Sequence, residues 1–144
     1  MSRAKRILRF TFWVNNLVFL LLAALIIVSF SHLFYIWAPI LSLMLVVTCV
    51  AMLWYMQHHL GVTSFKGLYW VDDERDRLIT LKVHSTVMFS STYFLYGLLG
   101  IICLLLNWHL SSQELGQTLL VIIWLALVAS NLQYYWLWLK YDQA

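Results

Sequence analysis

The sequence predicts an all-α integral membrane protein with four transmembrane helices, arranged as two helical hairpins in one bundle with both termini in the cytoplasm. Hydrophobic residues make up 63% of the 144 residues and charged residues only 10%. In soluble domains, hydrophobic residues usually make up about 45–50% and charged residues roughly a quarter. A soluble chain of this length lacks the interior volume to bury so much apolar surface. Lipid is therefore the expected solvent. The lengths of the apolar spans and the placement of the charged residues support the same fold prediction.

The first half of the chain predicts two spans. No Asp, Glu, Lys or Arg occurs from residue 10 to residue 65. A helix rises ~1.5 Å per residue, so a bilayer core of ~30 Å needs about 20 residues. The charge-free stretch suits two helices with a break near residues 31–39. Pro39 fits the first turn of the second helix, where a missing N–H is tolerated.

The second half predicts two further spans. Between residues 83 and 139 the only charged residue is Glu114. Ser111 and Glu114 have the spacing of a capping box, which predicts that Ser111 caps the fourth helix. The whole chain is then one membrane domain (residues 1–144) with a cytoplasmic loop at 58–81. The predicted spans are 10–33, 38–57, 82–106 and 112–139.

Lysine and arginine placement predicts the orientation. All nine precede the first span, lie between the second and third, or follow the fourth: Arg3, Lys5, Arg6, Arg9, Lys66, Arg75, Arg77, Lys82 and Lys140. Such residues accumulate on the cytoplasmic side, which places both termini there. A basic segment before an apolar run also occurs in signal peptides. This run is longer than theirs and lacks a small-residue cleavage site, so we predict a retained helix.

Several function classes receive no support from the sequence. No predicted span carries a mid-membrane Asp, Glu, Lys or Arg, which argues against transporters built on a buried carboxylate. Ser, His and Asp do not have the spacing of a catalytic triad, so we name no catalytic residue and do not expect an enzyme. Cys49 and Cys103 lie in apolar runs without a C-x-x-C motif. The charges lie beside spans rather than in a basic stripe, so we expect no nucleic-acid partner.

The cytoplasmic loop contains a candidate docking face. Acidic residues at 72–74 suit a helix N-terminus, so the third helix is expected to begin near Asp73, before the membrane. Asp73, Glu74, Arg75 and Arg77 are the candidates for docking a partner. They also suit an ion-pair latch between the third helix and the basic N-terminus. The alternative is a helix cap with solvated charge pairs, each worth a few tenths of a kcal/mol.

Asp73-Glu74-Arg75, followed by Ile79 and Lys82, resembles a motif in small bacterial membrane proteins of unknown function. Those proteins carry a D-E-R tripeptide, followed by apolar and basic positions, just before a transmembrane helix. The resemblance covers residues from Trp70 to about Gly100. It implies a bacterial inner-membrane protein with four helices, and the family supplies no activity.

Polar side chains recur at a similar depth near the cytoplasmic ends of all four spans. Groups of this kind in lipid seek one another or water. They predict either a binding vestibule for a lipid headgroup, a quinone or a peptide, or hydrogen bonds between helices worth roughly 0.6 kcal/mol each. The ligand-binding candidates are Asn15, Asn16, His58, His84, Asn131 and Gln133.

Histidine placement raises a haem hypothesis. His32 and His109 are expected near the outer face, and His59 and His84 near the inner face. Two pairs of histidines, one near each end of a helix bundle, can ligate two haems. Histidines at span ends are also ordinary interfacial residues. No other metal site has supporting cysteine or carboxylate spacing, so the sequence establishes no cofactor.

These observations favour a small, non-enzymatic inner-membrane protein that interacts with or regulates a partner in the membrane or the cytoplasm. The alternatives are a ligand-binding or transport subunit for a lipid, quinone or small amphiphile, and a haem-binding redox protein. Small residues at Thr86, Ser90, Gly97 and Gly100, and at Ala126 and Ser130, allow close helix packing. This packing would seal either the bundle or a homo-oligomer.

Overall fold

The computed structural model describes residues 3–30, 34–62, 74–106 and 111–143. Within them the chain forms four helices: α1 (Arg3–Ser29), α2 (Phe34–His58), α3 (Glu74–Leu106) and α4 (Ser112–Gln143). Each is long and apolar enough to cross a membrane, so the predicted set of four membrane-length helices is confirmed. Of the candidate residues, Asp73, His32 and His109 lie outside the described residues.

The helices extend beyond several of the predicted spans. α1 begins at Arg3, so its first turns carry the basic N-terminal residues. α2 begins at Phe34 and contains Pro39 as its sixth residue. The prediction that Pro39 lies in the first turn is therefore wrong. A proline this early in a helix removes only one backbone hydrogen bond near the helix end, so the preceding turn still forms. α3 begins at Glu74, close to its predicted start.

Two helix ends are determined by local sequence. The Ser111 backbone N–H donates to Glu114 Oε2 at 2.9 Å, and the Glu114 N–H donates to Ser111 Oγ at 3.3 Å. These reciprocal bonds confirm the capping box at the start of α4. At the end of α2, Gly61 has φ of 63°, a left-handed conformation that glycine adopts without steric penalty. The chain turns there, and Val62 N–H donates to the Met56 carbonyl at 3.1 Å.

The helices form a curved row in the order α2, α1, α4, α3. α1 packs against α2 and α4, and α4 packs against α3. Both predicted hairpins, α1–α2 and α3–α4, are present. Among the described residues α2 and α3 share no extended packing, although both line one cavity with α1 and α4. The arrangement is thus open on one side rather than a closed bundle.

The tightly packed core lies at one end of the row. We call this the charged end: it contains the starts of α1 and α3 and the ends of α2 and α4. Its buried apolar residues are Ala4, Ile7, Leu8, Met56, Val62, Ile79, Val83, Leu137 and Trp138. In contrast, the most apolar stretch of each described helix contains no buried residue. Contiguous exposed apolar surface of this extent is typical of a surface that contacts a membrane or another protein.

Charged side chains join neighbouring helices at the charged end. Arg3 Nε donates to the Leu60 carbonyl at 2.9 Å, which joins α1 to the end of α2. Lys5 Nζ lies 2.6 Å from Asp142 Oδ2 in a partly buried ion pair that joins α1 to α4. Arg75 Nη2 donates to the Asp142 backbone carbonyl at 2.8 Å, which joins α3 to α4. These contacts connect all four helices on the side where the core packs.

Candidate functional site

A column of polar residues on α3 leads from the charged end into the row of helices. Asp76, Thr80 and His84 are spaced four residues apart, so they lie on one helix face. Thr80 is 2% exposed. Its hydroxyl donates to the Asp76 carbonyl at 2.7 Å and accepts from Trp138 Nε1 at 3.3 Å. The column is therefore held against α4 by a side-chain hydrogen bond.

His84 is oriented by this column. Its Nδ1 lies 3.0 Å from the Thr80 carbonyl, and a carbonyl can only accept. The proton therefore sits on Nδ1, which leaves Nε2 as an acceptor in the neutral imidazole. The Tyr134 hydroxyl of α4 lies 3.4 Å from the same Nδ1, with the two rings edge to face. His84 thus contacts both its own helix and α4.

An amide pair joins α1 to α4 at a similar depth. Asn15 Nδ2 donates to Asn131 Oδ1 at 3.2 Å. The Nδ2 of Asn131 is buried and has no hydrogen-bond partner among the described residues. A buried, unpaired donor costs about 1–3 kcal/mol. An acceptor oxygen brought to this donor would relieve that cost.

The amide pair and His84 line the same cavity, whose volume is about 530 Å³. Its polar lining consists of Thr11, Asn15, His84, Ser130, Asn131 and Tyr134. Met52 and Met56 of α2 form one apolar wall. Phe12 and Tyr135 add a stacked aromatic pair with ring centroids 4.1 Å apart. Because α2 and α3 flank the cavity without packing together, it opens sideways between them.

No protein-family model matches this chain, and no curated protein or solved structure shows significant similarity to it.

The structure brings three of the six ligand-binding candidates together. Asn15, His84 and Asn131 line the cavity. Gln133 instead accepts from the Ser90 hydroxyl at 3.2 Å and lines a separate groove of about 390 Å³ between α3 and α4. Ala126 and Ser130 line this groove too.

The other two candidates make local contacts. Asn16 Nδ2 donates to the Phe12 carbonyl of its own helix at 2.9 Å. His58 is exposed at the end of α2, stacked on Trp54 at a centroid distance of 5.0 Å. Neither is among the described residues that line the cavity.

The docking candidates lie at the charged end. Glu74, Arg75 and Arg77 are exposed, and Arg75 also contacts α4 through the Asp142 carbonyl. In the basic N-terminus, Lys5 forms an ion pair with Asp142 of α4. Docking of a protein partner on this face stays a prediction.

The described residues contain no cluster of three or more His, Cys, Asp or Glu side chains that suits a metal ion. His59 lies at the end of α2 against Tyr55, with ring centroids 4.8 Å apart. His84 lies on α3 in the cavity wall. The outer pair of the haem hypothesis, His32 and His109, falls outside the described part of the chain.

Sequence reasoning did not select several residues of the site. Tyr134 and Tyr135 follow Asn131 by three and four residues, so they lie on the same helix face. That spacing was available as a signal. Thr80 and Trp138 had no such signal, because only the docking of α3 on α4 brings a hydroxyl to an indole.

Proposed function

We propose that this chain is a multi-pass protein of the bacterial inner membrane, with both termini in the cytoplasm, that binds a neutral amphiphile in the cavity between α2 and α3. The observation that carries the proposal is the buried, unpaired Nδ2 of Asn131, a residue that lines a cavity flanked by α2 and α3. A volume of about 530 Å³ lies within the range of ligand pockets.

The topology is supported by the charges. All the described lysines and arginines lie at the charged end: Arg3, Lys5, Arg6, Arg9, Arg75, Arg77, Lys82 and Lys140. Glu114 is the charged residue of the described helices at the opposite end. Accumulated basic residues mark the cytoplasmic side. The cavity then lies in the cytoplasmic half of the bilayer, where a lipid-soluble molecule reaches it by lateral diffusion.

The lining favours an uncharged headgroup. None of the described residues that line the cavity is Asp, Glu, Lys or Arg. An anion such as a phosphate, taken from water into this site without a cation, would lose far more hydration energy than the site returns. Asn131 Nδ2 offers a donor to a carbonyl or ether oxygen, and His84 Nε2 offers an acceptor to a hydroxyl. The ligand class is therefore a neutral amphiphile with a carbonyl oxygen.

Two sources supply such a headgroup: a quinone and a glyceride. The test is a titration of the protein in nanodiscs with a short-chain quinone and, separately, with a monoacylglycerol. Asn131→Leu removes the donor and should weaken binding of the true ligand about tenfold, which corresponds to ~1.4 kcal/mol. The probe that saturates the wild-type protein identifies the source.

Asn16→Leu is the matched control, because Asn16 is the same residue type on α1 but bonds to its own helix. It should bind as the wild type does. The proposal is refuted if neither probe saturates, or if Asn131→Leu and Asn16→Leu bind equally well.

A further inference from the structure

α3 has an exposed face along its apolar half that carries three aromatic rings. We call this the outer face of α3 and define it by Ser85, Phe89, Tyr93, Tyr96 and Gly100. Intervals of three and four residues place these side chains on one side of a helix with about 3.6 residues per turn. Phe89, Tyr93 and Tyr96 are 65%, 60% and 70% exposed. On the opposite side, Val83 is buried in the core and Ser90 bonds to Gln133 of α4.

Two phenolic hydroxyls on this face are deep in the predicted membrane. Tyr93 and Tyr96 follow Lys82, the last charged residue of α3, by 11 and 14 residues. At ~1.5 Å per residue they lie roughly 16 and 21 Å along the helix, near the middle of a ~30 Å core. The two rings pack edge to face at 6.4 Å, and neither hydroxyl is hydrogen-bonded to a described residue. Lipid tails cannot pair with them, so a polar partner would be stabilised here.

The outer face also alternates between projections and gaps. A recess of about 540 Å³ lies among Ser85, Thr92 and the rings of Phe89, Tyr93 and Tyr96. A Cβ added at Gly100 would meet no atom of the described residues within 4 Å. Gly100 therefore permits close approach of a helix from outside, as small residues do at helix interfaces in membranes.

From these observations we infer that the outer face of α3 binds the same face of a second copy of the chain, as a parallel dimer. Copies inserted with one orientation and related by a two-fold axis place α3 beside α3 at equal depth. Gly100 then lies beside Gly100 of the other copy, so the two helices can approach closely at that depth. Tyr93 and Tyr96 meet hydroxyls at their own depth, so donors and acceptors match without a different partner.

The charged end does not oppose this pairing. Lys82 Nζ lies over the Tyr141 ring of α4, 4.5 Å from its centroid, so its charge is directed toward its own protomer. The recess on the outer face shares no lining residue with the ligand cavity. The dimer is therefore independent of amphiphile binding, and either proposal can fail alone.

The first test is the mass of the protein in detergent over a range of concentrations. The wild type should have twice the 17.0 kDa of one chain. Gly100→Ile fills the gap on the outer face and should give monomers. Gly116→Ile is the matched control, because a Cβ on Gly116 of α4 also meets no atom within 4 Å. It should leave the dimer intact, and circular dichroism should show equal helix content in all three proteins.

The second test uses the native cysteines in membranes. Cys103 follows Gly100 by three residues on the outer face, whereas Cys49 lies on α2. Mild oxidation should give a disulfide dimer that is lost in Cys103→Ser and kept in Cys49→Ser. Replacing both tyrosines by phenylalanine should raise the dimer dissociation constant about threefold for each hydroxyl.

The dimer is refuted if the wild type is monomeric at every concentration, or if Gly100→Ile remains dimeric. It is equally refuted if Cys49 forms the crosslink or if Cys103 crosslinks to a different protein. Loss of the dimer in both glycine variants would show a general packing effect and would also overturn the assignment to α3.

Discussion

Because the core lies at the charged end, the same valine-to-alanine substitution should have different effects there and in the apolar stretch of a helix. Val83 of α3 is 0% exposed and packs with Leu8 and Trp138 at the charged end. Val47 of α2 is 58% exposed in the apolar stretch. We expect Val83→Ala to destabilise the protein and Val47→Ala to have little effect. Both changes improve helix propensity to the same degree, so this term cancels in the comparison.

The magnitude follows from the surroundings of Val83. Two methyl groups transferred from water would contribute about 1.6 kcal/mol, at roughly 0.8 kcal/mol each. Because the unfolded helix would stay in the detergent micelle of the assay below, much of this transfer term disappears, while a packing term remains. A void of about 40 Å³ at roughly 24 cal/mol per Å³ contributes about 1 kcal/mol. Val83→Ala should therefore lower the free energy of unfolding by about 1–2.5 kcal/mol, and Val47→Ala by less than about 0.5 kcal/mol.

The assay is reversible unfolding in mixed micelles with increasing dodecyl sulfate. Tryptophan fluorescence reports it, because Trp138 is 2% exposed and leaves the core on unfolding. Equal destabilisation by the two substitutions would show that the protein is stabilised evenly along its helices. A larger effect at Val47 would place the stabilising packing in the apolar spans. Either result would refute the assignment of the core to the charged end.

Two further predictions concern the same end of the protein and the same assay. Gly61→Ala should lower the free energy of unfolding by about 1–2 kcal/mol, because the backbone at Gly61 is left-handed and the new Cβ would lie 3.0 Å from Arg3 Nη2. Gly61→Asn should have a smaller effect. An alanine variant as stable as the wild type would contradict this prediction. Thr80→Val should lower the free energy of unfolding by about 1–3 kcal/mol, because it leaves the Trp138 indole N–H without an acceptor. The same substitution should have less effect in a Trp138→Phe background. Additive effects of the two substitutions would show that the hydrogen bond contributes nothing.

Part of the site could be predicted from sequence because depth along a helix is encoded locally. Asn15, His84 and Asn131 can be predicted because amide and imidazole groups recur at one distance from the charged residues. Depth along a helix does not determine in which direction around the helix axis each side chain points. Asn15 and Asn16 are neighbours with the same side chain, yet Asn15 bonds to α4 and Asn16 bonds to its own helix. Gln133 likewise faces Ser90 in a separate groove.

The sequence by itself determined the number of membrane-length helices, their hairpins and two of their ends. Composition decides which segments suit lipid, and Ser111–Glu114 and Gly61 act through bonds and conformations within a few residues. Tertiary structure decided that the row stays open between α2 and α3, that the core lies at the charged end, and that Asn131 keeps an unpaired donor. Those features depend on which helix faces meet, and helices that are apolar on every side leave that choice to packing between distant side chains.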